Sequence, residues 1–131
     1  MNKELIMKLT ERARAASDNS YCPYTSVATG CALLVEDNMI FTGCNVELRT
    51  LSGSLSAGQV AIIKAVSEGF TKFRAICFFS AENMPFPSGA ERDLLSEFNP
   101  MIDVIVANDQ TYSLHTLYQL FPFQPEGPRI E

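Results

Sequence analysis

The chain has 131 residues, with 10 Lys and Arg against 15 Asp and Glu and a net charge of −5. This length favours one domain over residues 1–131, and the 47% of apolar residues are enough for a folded core. The acidic balance argues against nucleic acid as a partner, because domains that bind it carry a basic patch or stripe. The longest nearly apolar stretch, residues 27–35, is far below the roughly 20 residues of a membrane span, so we expect no membrane partner and a cytoplasmic location.

The four cysteines and the single histidine form no metal-binding or redox pattern. Cys22, Cys31, Cys44 and Cys77 are widely spaced and lack a C-x-x-C pair, so we interpret them as small apolar residues in a reducing compartment. His115 has no Cys, Asp or second His at a suggestive spacing. We interpret it as an exposed or helix-capping residue between a strand and a helix.

The predicted elements begin with an amphipathic helix over residues 2–17, in which Leu5, Ile6 and Leu9 recur at helical spacing. A tight turn is expected between the next two elements, which are strands. A helix from Ser56 is apolar almost all round and ends where Gly69 would form a C-cap. The predicted strands are 27–35, 39–47, 73–81, 102–107 and 111–114; the later helices are 88–98 and 116–120, and an irregular tail follows that includes Pro128.

The order α-β-β-α-β-α-β-β-α predicts an α/β fold, a three-layer α/β/α sandwich with a mixed five-stranded sheet. Two helix starts, Ser56-Ala57-Gly58 and Ser88-Gly89-Ala90-Glu91, each follow a strand and a loop. The free N–H groups and the positive dipole end of such a start attract polar or anionic atoms. These two starts are therefore the candidate functional positions.

Short motifs follow one another in a specific order along most of the chain. They include Ser-Tyr-Cys-Pro-Tyr at 20–24, Gly-Cys-Ala-Leu-Leu at 30–34, Ile-Phe-Thr-Gly-Cys-Asn-Val-Glu at 40–47, Phe-Arg-Ala-Ile at 73–76 and Leu-Phe-Pro at 120–122. Together they resemble the cytidine deaminase family. The resemblance implies a cytidine-deaminase-like fold, a nucleoside-like small molecule as partner, and a homotetramer or homodimer in which the apolar helix after Ser56 packs against a neighbouring subunit.

The resemblance also implies a zinc site whose residues are changed in this chain. The family holds zinc with a Cys-Ala-Glu helix start and a Pro-Cys-x-x-Cys helix start, and the Glu moves protons. The matching residues here are Ser56, Ala57 and Gly58 in one start, and Ser88 and Glu91 in the other. Zinc requires about three strong donors plus a water, and a neutral hydroxyl is a poor donor. We therefore predict no metal, no cofactor and no catalytic residue of the zinc mechanism.

The changed residues also have an ordinary structural interpretation. Ser88 and Glu91 fit the capping box Ser-x-x-Glu, in which each side chain accepts the backbone N–H of the other residue. Ser56 could cap the other helix in the same way, and each cap stabilises by about 1 kcal/mol. Ordinary caps would then stand where the family uses a metal.

The end of the site that would hold the sugar is better retained than the end that would hold the base. Asn45 and Glu47 match family residues that hydrogen-bond the ribose; alternatively, Glu47 pairs with Arg49 and Asn45 only ends the strand. Val27 replaces the aromatic residue that stacks on the pyrimidine, and Arg49 adds a charge. The candidate ligand-binding residues are Val27, Asn45, Glu47, Arg49 and Ala57.

Three functional hypotheses follow from these residues. The first is a nucleoside-binding or regulatory pseudoenzyme without deaminase activity, acting alone or with an active paralogue. The second is a metal-independent enzyme on a nucleoside-like substrate, with Glu91 or Glu47 as general base. The third is an active cytidine deaminase-type hydrolase with an unrecognised site.

Overall fold

The computed structural model describes residues 1–126, which form one mixed sheet with helices on both faces. The strand order is β2-β1-β3-β4-β5, with β3 and β4 parallel and the other neighbours antiparallel. This confirms the predicted α/β class and the mixed five-stranded sheet. The elements are α1 Lys3–Ser17, β1 Gly30–Val35, β2 Ile40–Cys44, α2 Ala57–Ser67, β3 Phe73–Phe79, α3 Gly89–Phe98, β4 Asp103–Ala107, β5 Tyr112–Thr116 and α4 Leu117–Leu120. The part of the predicted tail that includes Pro128 lies outside the described residues.

Two apolar clusters, one on each face of the sheet, make the three layers. Cys31, Leu33 and Val35 of β1 pack in the cluster that contains the buried residues of α2, α3 and α4. Ala32 and Leu34 pack in the cluster that contains the buried face of α1. Successive residues of a strand point to opposite faces of a sheet, so a strand covered on both faces is apolar throughout.

The first two strands are shorter than predicted at the end nearest the candidate site. β1 begins only at Gly30, and β2 ends at Cys44. Asn45 still donates its backbone N–H to the Thr29 carbonyl, but Val46 forms isolated bridges with Tyr21 and Leu55, so Val46 and Glu47 leave the partner strand that the hairpin prediction assigned to them. The backbone N–H groups of Val46 and Glu47 are therefore satisfied by carbonyls of other loops.

Two glycines allow the helices to approach the sheet closely at this end. A Cβ at Gly30 would lie 2.8 Å from the backbone nitrogen of Ser17, and one at Gly43 would lie 2.6 Å from that of Ala61. Both distances are too short for real atoms, so any side chain would push a helix away. Gly69 follows α2 with φ of +94°, which confirms the predicted glycine at the end of that helix.

The interpretation of His115 is wrong in both its element and its surroundings. The residue lies within β5 and is half-buried; Ser113 Oγ is 2.7 Å from its Nε2 atom, and its ring centroid is 5.3 Å from that of Phe86. The pattern placed the last strand too early because its residues alternate between half-buried and exposed on an edge strand.

Among the described residues, none of the helices has the length and apolar character needed to cross a bilayer.

The cysteines are free thiols with two different environments. Cys31 and Cys77 are fully buried in the sheet, whereas Cys22 and Cys44 are partly exposed. Burial raises the pKa of Cys77 to about 12 and that of Cys31 well above its ordinary value. These two thiols therefore stay protonated near neutral pH and act as apolar core residues.

Candidate functional site

A cavity of about 250 Å³ lies at the edge of the sheet where α2 and α3 begin. The topology explains its position: Gly30 at the start of β1 pairs with Cys44 at the end of β2 and with Phe79 at the end of β3. The chain enters α2 after β2 and α3 after β3, so both helix starts reach the same edge. The cavity is lined by Thr29, Asn45, Ser56, Ala57, Phe78, Pro85, Phe86, Ser88 and Glu91.

Each of the two helices begins with a complete capping box. Ser56 Oγ accepts the Gln59 N–H at 3.2 Å, and Gln59 Oε1 accepts the Ser56 N–H at 3.0 Å. Ser88 Oγ accepts the Glu91 N–H at 3.1 Å, and Glu91 Oε1 accepts the Ser88 N–H at 2.8 Å. Both predicted caps are confirmed.

Glu91 makes one further contact that ties the two helix starts together. Its second oxygen, Oε2, accepts the backbone N–H of Gly58 at 2.8 Å, and the side chain is only 5% exposed. The carboxylate thus accepts one N–H from α2 and one from the cap of α3. Negative charge at the positive ends of both helix dipoles is favourable. We call this arrangement the Glu91 bridge.

The Glu91 bridge requires glycine at position 58. A Cβ there would lie 2.9 Å from Glu91 Cδ and 2.8 Å from Cε1 of Phe78, and closer still to Glu91 Oε2. The space into which any side chain at this position would project is therefore filled by the carboxylate. Gly58 and Glu91 depend on each other, which the sequence could not indicate because glycine carries no side-chain signal.

The residues at this edge do not suit the zinc ion that the resemblance implies. Ser56 and Ser88 offer neutral hydroxyls, and each already accepts a helix N–H. Both oxygens of Glu91 accept backbone N–H groups. Within residues 1–126 no group of three or more His, Cys, Asp or Glu side chains is arranged to hold a metal ion. A zinc centre needs about three strong protein donors, so this donor set does not fit one.

Glu47 is nearly buried, at 7% exposed, and its carboxylate holds the loop that follows α1. Oε1 accepts the N–H of Tyr24 at 3.0 Å and that of Thr25 at 3.1 Å, and Oε2 accepts the Thr25 hydroxyl. The hydroxyl, and to a smaller extent the two N–H groups, lower the pKa of Glu47, while burial opposes them. Glu47 is therefore a stably ionised side chain and a weak base.

Asn45 fastens the other end of the same loop. Its Oδ1 accepts the N–H of Thr29 at 2.9 Å, and its Nδ2 donates to the carbonyl of Val27 at 2.8 Å. These bonds leave one amide hydrogen and one lone pair for another partner. Since Asn45 also lines the cavity, it remains able to contact a ligand.

The predicted ligand-binding residues are divided among three separate cavities. Asn45 and Ala57 line the cavity at the helix starts. Val27 lines another of about 290 Å³, and Glu47 and Arg49 line a third of about 440 Å³. In the described part of the chain the alternative ion pair between Glu47 and Arg49 is not formed, because Glu47 binds the loop instead.

Four cavity residues were not predicted from the sequence to line a ligand site. Phe78 lies in a run that indicated only a buried strand, and Pro85 and Phe86 lie in a loop with no motif of its own. Thr29 precedes β1, where the pattern predicted continuous strand. A useful signal was available for Phe86 alone, because an aromatic residue between two prolines in a loop has a restricted position.

Comparison with known proteins gives a consistent result. Residues 1–81 match the family model described as the cytidine and deoxycytidylate deaminase zinc-binding region. A cytidine deaminase of Sporosarcina psychrophila is 35% identical over 105 residues, which cover 79% of this chain and 77% of that protein. A probable cytidine deaminase of Dictyostelium discoideum is 34% identical over 124 residues, which cover 93% and 84%. The crystal structure of cytidine deaminase from Burkholderia pseudomallei superimposes with a TM-score of 0.86 at 29% identity, covering 95% of this chain and 99% of that one.

Proposed function

The chain belongs to the cytidine and deoxycytidylate deaminase family, and from this premise we propose that it binds a nucleoside-like small molecule without zinc and without deaminating it. The observation that carries the proposal is the Glu91 bridge. Glu91 accepts N–H groups from Gly58 and Ser88 and joins, through a carboxylate, the two helix starts at which the family places its metal.

Two parts of the deamination machinery lack a counterpart among the cavity residues. Gly58 cannot move a proton, and general acid and base assistance contributes about 10²–10⁴ in rate. The neutral hydroxyls of Ser56 and Ser88 are too weak as ligands to hold a metal ion that would activate water. This supports a protein that does not hydrolyse its ligand by the family's mechanism.

The use of Glu91 or Glu47 as a general base in a different reaction has less support. Both oxygens of Glu91 already accept a backbone N–H. The hydrogen bonds from Thr25 and Tyr24 lower the pKa of Glu47, which weakens it as a base. Neither carboxylate has the environment of a poised proton acceptor.

The binding part of the proposal rests on what remains open. The cavity of about 250 Å³ is close to the roughly 300 Å³ at which small-molecule pockets begin. It combines the aromatic residues Phe78 and Phe86 with the polar side chain of Asn45, which retains hydrogen-bonding capacity. Such a combination suits a planar ring bearing a sugar.

We also propose that the chain forms a homodimer or homotetramer. Helix α2 is apolar on nearly all sides, and Ile63 is 56% exposed on its outer face. A helix of that composition is normally buried on most of its surface. Sedimentation at several concentrations tests this, and a monomer at all of them would contradict it.

Metal content and ligand binding test the proposal separately. Protein purified without chelators should contain far less than one zinc per chain, and cytidine should not be converted to uridine. About one tightly held zinc per chain, or turnover that is lost in Glu91→Gln, would contradict the proposal.

A thermal-shift screen over nucleosides tests the binding. At least one nucleoside should raise the melting temperature of the wild-type protein. Phe86→Ala, in the cavity, should reduce that shift, whereas the matched control Phe123→Ala should not, since Phe123 is 92% exposed and lies outside the cavity. If no nucleoside raises the melting temperature, the chain does not bind this class of ligand.

A further inference from the structure

Phe86 forms an exposed part of the wall of the cavity at the helix starts. Its side chain is 51% exposed, whereas the other aromatic ring that lines the cavity, Phe78, is buried within β3. Prolines precede and follow Phe86, and its N–H donates to the carbonyl of Met84 at 3.0 Å, so the backbone is restricted here. The side chain can still turn about its own bonds, so the position of the ring depends on its contacts.

The ring of Phe86 contacts His115 of β5. The two ring centroids are 5.3 Å apart, and the ring planes are tilted by 57°. Aromatic pairs favour such tilted arrangements, with centroids roughly 4.5–7 Å apart. His115 pairs with Val104 of β4, which is buried in the cluster on the α3 side of the sheet. His115 therefore lies on the face that α3 covers, beside the segment that leads into α3.

Ser113 restricts the orientation of the His115 ring. It lies two residues earlier on β5 and hence on the same face, and its Oγ atom is 2.7 Å from His115 Nε2. Either atom of this pair can donate, and in both cases the hydrogen bond limits the rotation of the imidazole. Two successive contacts thus connect Ser113 with the cavity through His115 and Phe86, although within residues 1–126 only Phe86 of the three lines it.

We infer that His115 and Ser113 are positioning residues, which hold the ring of Phe86 in the orientation that a ligand of the cavity contacts. The inference rests on the proposed function and names residues outside the cavity that control its affinity. A ring that is already held in its bound orientation loses less freedom when a ligand binds, so the affinity is higher.

A fluorescence measurement tests the contact without a ligand. The chain contains no Trp, so Phe86→Trp introduces a single indole at the cavity. Adding His115→Ala should lower the fluorescence anisotropy of this indole, because its ring gains local motion. Leu114→Ala in the same background is the matched control, since Leu114 is the adjacent residue of β5 but pairs with Ile105 on the face that α1 covers. Equal anisotropy in the two double variants overturns the inference.

Calorimetric titration with cytidine and with uridine tests the effect on binding. His115→Ala should weaken binding about fivefold, as expected for the loss of one aromatic pair. His115→Phe should restore most of the affinity, because an aromatic ring again lies against Phe86. Ser113→Ala keeps the imidazole but frees its rotation, so the loss of affinity should be smaller. Leu114→Ala should bind as the wild type does.

Two results of the titration overturn the inference. One is a wild-type affinity in His115→Ala, and the other is a loss in His115→Phe as large as that in His115→Ala. Melting temperatures identify any variant that is unfolded. If His115→Ala does not fold, Ser113→Ala replaces it, and an unchanged affinity in that variant overturns the inference.

The fluorescence measurement separates this inference from the proposed function. If neither cytidine nor uridine binds the wild-type protein, and no other nucleoside does so in the thermal-shift screen, the proposed function fails. The anisotropy comparison then still confirms or overturns the contact by which His115 holds Phe86.

Discussion

Two carboxylates, Glu91 and Glu47, are nearly buried and accept backbone N–H groups, yet they act on different parts of the molecule. Glu91 joins two helices at the base of a cavity and fills the space beside Gly58. Glu47 holds the loop at Tyr24 and Thr25 and leaves the surface around it open. In both cases a carboxylate accepts backbone N–H groups. At Glu91 this fills the space between two helices, whereas at Glu47 it fixes a loop beside an open surface, so the effect depends on where the carboxylate lies.

The largest expected effect is that of Glu91→Ala. It leaves the N–H groups of Gly58 and Ser88 without their acceptor, so we expect a loss of about 3 kcal/mol in the free energy of unfolding, measured with urea. Glu97→Ala, on the exposed side of α3, is the control and should change stability by less than about 0.5 kcal/mol. Equal losses in the two variants would show that the Glu91 bridge does not stabilise the fold.

Gly58→Ala should follow, with a loss of about 2 kcal/mol from overpacking against Glu91 and Phe78, although alanine favours helices over glycine. The control is Gly89→Ala, because a Cβ there meets only Arg92 Nη2 at 4.0 Å and should be neutral or stabilising. In a double-mutant cycle, Gly58→Ala should cost less in the Glu91→Ala background. Additive losses of stability would show that Gly58 and Glu91 do not interact.

For Glu47 we expect a smaller effect on stability, and one that depends on pH. Its contacts lower the folded-state pKa of Glu47, so they stabilise the protein fully above the ordinary glutamate pKa of about 4.3. That contribution is lost as the pH falls through the lowered folded-state value. Glu47→Gln should therefore lower the melting temperature at neutral pH. In acid, the difference in melting temperature between the variant and the wild type should become smaller. A difference that is constant with pH would exclude a role for the ionised form.

Arg49→Ala should have the smallest effect. Arg49 is exposed and Glu47 is engaged by the loop, so removing the charge should change the free energy of unfolding by less than about 0.5 kcal/mol. The unfolding midpoint in urea measures this. A loss of stability as large as that of Glu47→Gln would instead indicate that Arg49 forms the ion pair with Glu47 that the sequence suggested.

The regular elements could be predicted because local patterns define them. The helix periodicity of Leu5, Ile6 and Leu9, the glycine at the end of α2 and the capping box at Ser88 are all present as expected. The ends of β1 and β2 could not be predicted, because Val46 pairs with Tyr21 and Leu55, which lie in two other loops and not in the partner strand. His115 was misplaced for a related reason: an edge strand lacks the apolar run of an interior one.

The sequence by itself determined the order of the elements and the family resemblance, and it led to the prediction that the residues matching the family's zinc ligands are replaced, because each of these depends on residue types and their spacing. Only the tertiary structure decided that Glu91 joins α2 to α3, and that Asn45 and Glu47 hold one loop while lining different cavities. The physical reason is that a carboxylate takes the nearest N–H donors in space, and the donor on α2 belongs to Gly58, which carries no side chain to announce it.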